Sequence, residues 1–380
     1  MSLQNDPFLS VSNSIKNRYI DETNKKIVGY YCTYIPEELL HAANLFPYRI
    51  RATGNKDTDL ADIYMVRFTC SFVRSTLHLA LQGGYDFLDG FLVCNSCDHS
   101  RRMFELFDMK VFNRENFNKK VPRFYLALPH IISNEGFEWY KKEIEELKIE
   151  LEKAYSIGQI TNANLLESIK LYNENRELLR NIHELRILDK PKLTGSDALQ
   201  ISMANSSVPK EIANKELERI LNKLKGSEGI DTNDKRILLV GSVVDNIDFT
   251  QLVENSGAII VSDFLCFGTR NFLDDIELTS GDPLNDITRR LYYRMSCPRM
   301  MDDHIRRLEF IKNEIKRAKV DGVLLQRINN CDLFGCDNML FEHELKDDLE
   351  IPVFNIDREN YQADTSRLQT RIEAFLEMIT

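Results

Sequence analysis

The chain alternates short, nearly continuous apolar runs with longer stretches in which apolar residues recur every three or four positions. The short runs are KIVGYYC (Lys26 to Cys32), PYRIRATG, FLDGFLV and PRFYLALP, then RILLVG (Arg236 to Gly241), AIIVSDFLC, VDGVLLQRINNC and IPVFNID. They read as strands buried on both faces. Between them EELLHAANLF, SFVRSTLHLALQGG, FTQLVENSG, HIRRLEFIKNEIKRAK, NMLFEHELKDDL and SRLQTRIEAFLEMI carry helical spacing. Pro36 followed by Glu37 and Glu38 suits a helix start, and Gly83–Gly84 a helix stop. Strand and helix in alternation predict parallel sheets. From about Gly136 to Leu188 the pattern is helical throughout and densely charged; PKLTGSD breaks it, helix resumes to about Leu224, and GSEGIDTND reads as a linker. The predicted order is an N-terminal helical arm over 1–25, a first α/β domain over 26–135, a helical connector over 136–230 and a second α/β domain over 231–380.

The two α/β halves echo each other. Asp89-Gly90 opens a buried run that leads to Cys97-Asp98, and Asp321-Gly322 opens one that leads to Cys331-Asp332. An aspartate–glycine turn is common, so the echo gains weight from the matching strand–helix order around it.

Composition narrows the partners. The apolar fraction of 43% and charged fraction of 28% are those of a folded globular protein. A formal net charge of −10 argues against a nucleic-acid surface, which needs a basic face. No apolar run is long enough to span a bilayer, and MSLQNDPFLS lacks the basic-then-apolar order of a signal peptide. A cytoplasmic protein without nucleic acid or membrane partners is the expectation, and there thiols stay reduced unless a metal takes them.

That makes the eight cysteines the candidate chemistry. Cys70 opens CSFVRS, while Cys97 and Cys331 follow predicted strands, and the carboxyl ends of strands are where open α/β sheets build sites. Soft thiolates select iron–sulfur clusters, zinc or copper(I). The ferredoxin run CxxCxxC is absent, so Cys70, Cys97 and Cys331 would hold one cluster from distant parts of the fold, leaving a fourth iron open to a non-protein ligand. Cys32, Cys266, Cys297 and Cys336 are further candidates, Cys32 and Cys266 also near strand ends. Against this, any single cysteine is more often a small buried hydrophobe. Cys94 and Cys97 with Cys331 and Cys336 would make a zinc site in a structural or electron-relay scaffold, and the CxxC alone a redox pair. No GxGxxG follows a strand, and there is no GxxxxGK[ST] and no HExxH. His99, Arg101 and Arg102 read either as anion contacts or as a solvated first helical turn; Glu37 and Glu38 read as surface carboxylates favoured by the helix dipole, and Trp139 as packing.

In order along the chain, GYYCTYIPEELLHAANLFPYRI, CSFVRS, YDFLDGFLVCNSCDHSRRMFE, VDGVLLQRINNCDLFG, LKDDLEIPVFNIDREN and LQTRIEAFLEMI resemble the blocks of the 2-hydroxyacyl-CoA dehydratase and benzoyl-CoA reductase family, the iron–sulfur component D subunits. The resemblance implies two flavodoxin-like (Rossmann-like) parallel-sheet domains with a [4Fe–4S] cluster between them on Cys70, Cys97 and Cys331. It implies an enzyme subunit paired with a homologous second subunit, as a hetero- or homodimer. It also implies a separate ATP-dependent activator iron–sulfur protein that delivers low-potential electrons, and an acyl-CoA substrate for radical dehydration or ring reduction. A further branch of the family carries an [8Fe–9S] double-cubane cluster and reduces small molecules as a homodimer; Cys32, Cys266 and Cys297 match the additional cysteines of that branch.

Overall fold

The computed structural model describes residues 3, 5–115, 117, 119–361 and 365–379; of the arm expected over 1–25, residues 1, 2 and 4 lie outside that set. The arm is only partly helical: a 3-10 turn at Leu9–Asn13 precedes α1 (Arg18–Glu22). Its apolar side chains Leu3, Phe8 and Leu9 are buried against the helices of the middle of the chain.

The first half is a sheet built from β1 (Lys26–Tyr31), β2 (Leu45–Arg49), β3 (Gly90–Cys94) and β4 (Arg123–Leu126). Between these strands run α2 (Glu37–Ala42), α3 (Asp59–Asp62), α4 (Ser71–Leu81) and α5 (Asp98–Leu106). The middle of the chain is α6 (Asn134–Tyr155), α7 (Asn162–Glu184), α8 (Gly195–Asn205) and α9 (Lys210–Lys225). The second half holds β5 (Lys235–Gly241), α10 (Asp248–Asn255), β6 (Ala258–Phe264), α11 (Pro283–Tyr293), α12 (His304–Arg317), β7 (Gly322–Ile328), α13 (Asp332–Leu349), β8 (Val353–Arg358) and α14 (Thr365–Met378).

Both sheets have four parallel strands, ordered β2-β1-β3-β4 and β6-β5-β7-β8. The second order is the first repeated, so the echo read in the sequence is an echo of topology, and the two parallel α/β domains are of the flavodoxin-like kind expected. In each sheet the first strand in sequence has neighbours on both sides, and the direction of winding reverses there. A crevice opens at the carboxyl ends of the strands at such a reversal.

Helices cover both faces of each sheet, which is why the strands read as unbroken apolar runs. On β1, Ile27 and Tyr31 pack on the side of α4 and α5, and Val28 and Tyr30 on the side of α2 and α6. Helix α6 buries Tyr140, Ile144, Leu147, Leu151 and Tyr155, spaced three or four apart, against Val28, Leu92 and Leu126. Trp139 is one position off that stripe and is 44% exposed, so it is a surface residue and not the packing residue the sequence predicts. Helix α7 spans two cores: Leu165 and Ile169 face the first sheet's core, Leu179 and Ile182 the core shared by α8, α9 and the arm.

The second half also reaches across to the first. Helix α11 sets Tyr292 against α6, where its hydroxyl donates to the carbonyl of Ile131 at 2.8 Å and accepts from the amide of Ser133 at 3.1 Å. No helix among the described residues is long and apolar enough to cross a membrane.

At Gly241 the end of β5 turns with φ +139°, and an added Cβ would lie 1.8 Å from the carbonyl oxygen of Gln326 on β7. That close approach lets Ser242 bond β7 through Ile328 at 2.8 Å. Gly241→Ala combines backbone strain with a backbone clash and is expected to lower stability by about 1–3 kcal/mol. Urea denaturation checks this; an unshifted midpoint would show that the strand end has room to move.

Candidate functional site

The carboxyl ends of both sheets border one cavity of about 120 Å3. Six cysteines line it: Cys32, Cys70 and Cys97 from the first half, and Cys266, Cys297 and Cys331 from the second. All six are free thiols. Cys32 follows β1, Cys97 follows β3, Cys331 follows β7, and Cys266 lies just beyond β6. Cys70 sits in the β2–β3 connection and Cys297 in the corresponding β6–β7 connection.

Local structure explains how each is held. Cys70, Cys97 and Cys331 are the N-cap residues of α4, α5 and α13. Three helix N-termini therefore meet at this cavity, each favouring negative charge near its free amides. Cys97 forms a capping box, its Sγ accepting from the Ser100 amide at 3.4 Å while the Ser100 hydroxyl accepts from the Cys97 amide at 3.1 Å. The amide of Cys70 donates to Nδ1 of His99 at 3.3 Å. Burial pushes the His99 pKa down, which suits an imidazole that accepts this bond in its neutral form. Cys32 takes φ +90° and Asn330, just before Cys331, takes φ +64°, so two strand ends turn through a conformation that ordinary side chains avoid. Such residues persist where their surroundings over-determine them, and they cluster at functional sites.

Cys297 is delivered by a loop of the second half that is tied to the first. Its amide donates to the hydroxyl of Tyr34 at 3.3 Å. Two residues on, the fully buried Arg299 donates to the carbonyls of Asn95 at 2.9 Å and Leu128 at 2.6 Å, and also to that of Pro129. Arg294 donates to the carbonyl of Thr33 at 2.5 Å and to that of Arg270. Arg49, on β2, donates to the carbonyl of Cys266 at 2.8 Å and stacks on Phe267, 3.7 Å from the ring centre.

The electrostatics are unusual. Arg49, Arg270, Arg294 and Arg299 are buried around the cysteines, and none forms a salt bridge with a carboxylate among the described residues. No carboxylate or histidine among the described residues lines the cavity. Burial pushes the Cys70 thiol well up, raises Cys97 and Cys266, and lifts Cys331 to about 12. Cys32 goes the other way, to about 5, chiefly because the buried Cys94 thiol donates a hydrogen bond to it; Cys94 rises in return. Cys94 is thus a partner to Cys32 rather than part of the cavity wall.

The sequence-based alternatives sort themselves by place. Cys336 is exposed on α13 and does not line the cavity, so the four cysteines of the zinc reading are not gathered. No group of three His, Cys, Asp or Glu side chains among the described residues is set to hold a single metal ion. Arg101 and Arg102 are solvated and pair with Asp98 and Glu105 on their own helix. Glu38, read as a surface carboxylate, is 2% exposed and bonds Arg176 at 2.6 Å, because α7 lies over the start of α2. The cationic residues Arg49, Arg270 and Arg299 were missed. Of these only Arg49 stands in an apolar run, PYRIR, which marks a charge in need of a buried partner but not the site it serves.

An inorganic cluster fits this donor set. Every ligating atom on offer is a soft thiol, the thiols span a cavity instead of converging on one point, and the surrounding charge is positive.

Comparison with known proteins identifies the family. A family model described as 2-hydroxyglutaryl-CoA dehydratase, D-component, matches residues 32–379. The (R)-phenyllactyl-CoA dehydratase beta subunit of Clostridium sporogenes is 24% identical, over 95% of this chain and 94% of that protein. A benzoyl-CoA reductase subunit from Thauera aromatica is 27% identical, over 82% of this chain and 80% of that one. The beta subunit of (R)-2-hydroxyglutaryl-CoA dehydratase from Acidaminococcus fermentans is 23% identical, over 93% of each. The chain belongs to the 2-hydroxyglutaryl-CoA dehydratase D-component family, as an enzyme subunit of the 2-hydroxyacyl-CoA dehydratase and benzoyl-CoA reductase type.

Proposed function

We propose that this protein is a low-potential iron–sulfur reductase subunit whose six cavity cysteines together hold a double-cubane cluster. The observation that carries the reading is the count and its division: three cysteines come from each α/β half, all on one cavity. A single cubane on Cys70, Cys97 and Cys331 would leave Cys32, Cys266 and Cys297 on the same wall without a task. The bound group would supply electrons at low potential. The chain's own residues hold it, exclude water and compensate its negative charge, through Arg49, Arg270 and the three helix N-termini. The resemblance to the family implies that ATP-driven electron delivery comes from a separate iron–sulfur activator protein, and this sequence carries no GxxxxGK[ST] loop of its own. Phe72, Val73, Val243, Phe267 and Leu333 on the same wall would keep water from the group. The similar proteins are named as subunits, which supports assembly with a second, homologous subunit, in a hetero- or homodimer.

A second reading follows from those same names. The chain would be the one-cubane subunit of an acyl-CoA dehydratase or a benzoyl-CoA-type reductase, with Cys70, Cys97 and Cys331 as its ligands.

Iron and sulfide quantitation after anaerobic purification separates the two. About eight irons per chain is the expected result, and about four would establish the single cubane. Cys297→Ser adds a second arm. It should remove about half of the iron under the first reading and leave the content unchanged under the second.

The thiols also set a pH dependence for the metal-free protein. Burial raises the Cys331 thiol to about 12, far above the unfolded-chain value near 8.5. Below that unfolded value both states carry the proton, and the stabilisation is complete. As pH rises through it, the unfolded chain sheds a proton that the folded chain keeps, so stability falls until the folded thiol also ionises. Thermal melts of metal-free protein should therefore decline between about pH 8.5 and 12, with a shallower decline in Cys331→Ser. Equal slopes would show that Cys331 is not enclosed in the metal-free protein. Cluster assembly should respond oppositely and improve as pH rises, because thiolate ligands must lose their protons.

A further inference from the structure

Arg270 is 3% exposed, lines the cysteine cavity and yet donates no hydrogen bond to any described residue. Its guanidinium is held between two rings, 5.0 Å from the centre of Phe264 and 5.4 Å from that of Phe334. Phe264 ends β6, and Phe334 lies in the first turn of α13, so the guanidinium spans from the Cys266 side of the cavity to the Cys331 side.

The backbone fixes it there. Its own carbonyl accepts from Arg294, and the preceding Thr269 amide donates to Asp263 at 2.8 Å. Asp263, the buried carboxylate of that turn, is already committed to Arg186 at 2.8 Å and to the amides of Leu265 and Thr269. It leaves Arg270 without a counter-charge among the described residues. The other buried guanidiniums here spend their donors on carbonyls: Arg49 on Cys266, Arg294 on Thr33 and Arg270, and Arg299 on Asn95, Leu128 and Pro129. Arg270 alone among these four keeps its donors free of any described residue.

A buried guanidinium with free N–H groups requires an acceptor, and the space beside it is the cavity that the six thiols surround. We infer that Arg270 donates hydrogen bonds to sulfur of the group those thiols hold, and thereby raises its reduction potential. This rests on the cluster-binding reading above. Positive charge and N–H donors at cluster sulfur stabilise the reduced, more negative state. The two phenylalanines prevent the side chain from swinging away to water, so the contact is built into the fold.

The test uses the full-length protein, purified without air, as wild type, Arg270→Gln and Arg270→Lys. Iron is quantified first, and each protein is then titrated potentiometrically with its electron paramagnetic resonance signal as the readout. Arg270→Gln should keep its iron and titrate at a more negative potential. A tenfold fall in the reduced-to-oxidised ratio at fixed potential is expected, equal to about 59 mV for a one-electron couple. Arg270→Lys, which keeps the charge and loses the fork, should shift in the same direction by less. An iron-replete Arg270→Gln protein that titrates with the wild type overturns the inference. If Arg270→Gln loses its iron, Arg270→Lys decides: a negative shift supports the contact, and an unmoved midpoint removes it. Wild-type protein without iron and sulfide would instead refute the cluster reading itself, so the two failures are distinct.

Discussion

The site depends on burying cationic side chains where no carboxylate meets them. A guanidinium removed from water is costly unless its donors are satisfied. Arg299 and Arg294 meet that demand with backbone carbonyls, and the carbonyls they choose lie across the boundary between the halves, at Asn95, Leu128, Pro129 and Thr33. The same bonds therefore dock the β6–β7 connection onto the first sheet and place Cys297 beside strands it does not belong to. Further ties work alongside them. Asp245 accepts from the Ala52 amide, Thr53 donates to the Asp245 carbonyl, and the Asn360 amide donates to Ser71 at 2.8 Å. Position and charge are thus set by one device. The bonds that align the two sheets also leave a positive surround for whatever anion the thiols bind.

Repetition of the sheet explains why the cysteines are shared so evenly. A β2-β1-β3-β4 order opens its crevice beside its first strand, and each half does this in turn. Cys97 and Cys331 occupy equivalent places after β3 and β7, and Cys70 and Cys297 fall in equivalent connections. Cys32 and Cys266 break the correspondence, one following the first strand of its sheet and the other following the second. The six-thiol wall is therefore approximately two-fold and not strictly so. The unmatched position is also where the wall is chemically uneven, with Cys32 held low by Cys94 and Cys266 raised by burial beside Arg49.

Much of this is legible in the order of residues along the chain. Apolar runs bounded by turns mark the eight strands, because a strand covered on both faces carries few polar positions. The cysteines are readable because strand ends are readable: each Asp-Gly turn fixes where a strand begins, and Cys97 and Cys331 follow at its far end. What escapes depends on contacts between residues far apart in sequence. Glu38 looks like a solvated helix start, since nothing near it in the chain announces Arg176, 138 residues later. Helix α11 goes unread, as PLNDITRRLYY carries its apolar face on few residues, and that face is completed by α6. Arg49 and Arg270 are invisible as site residues because an arginine's role is decided by the acceptors around it, and those come from the other half or from the cavity.

The charge pattern also bears on why thiols, and not carboxylates, make this wall. Burial holds four of the cavity thiols neutral in the metal-free protein, so the two halves can close on one another without enclosing six negative charges. Carboxylates at the same positions would be ionised at neutral pH and would repel one another across so small a space. In the cluster-binding reading, iron would exchange those protons for metal–sulfur bonds as the ligands deprotonate. The guanidinium of Arg270 meets no carboxylate among the described residues, and in the same reading it would find its anion in the group those thiols hold. A wall in which burial keeps four thiols neutral, with Cys32 the exception, is thus framed by buried guanidiniums that no carboxylate among the described residues meets. That charge pattern supports the reading in which the thiols hold an anionic cluster.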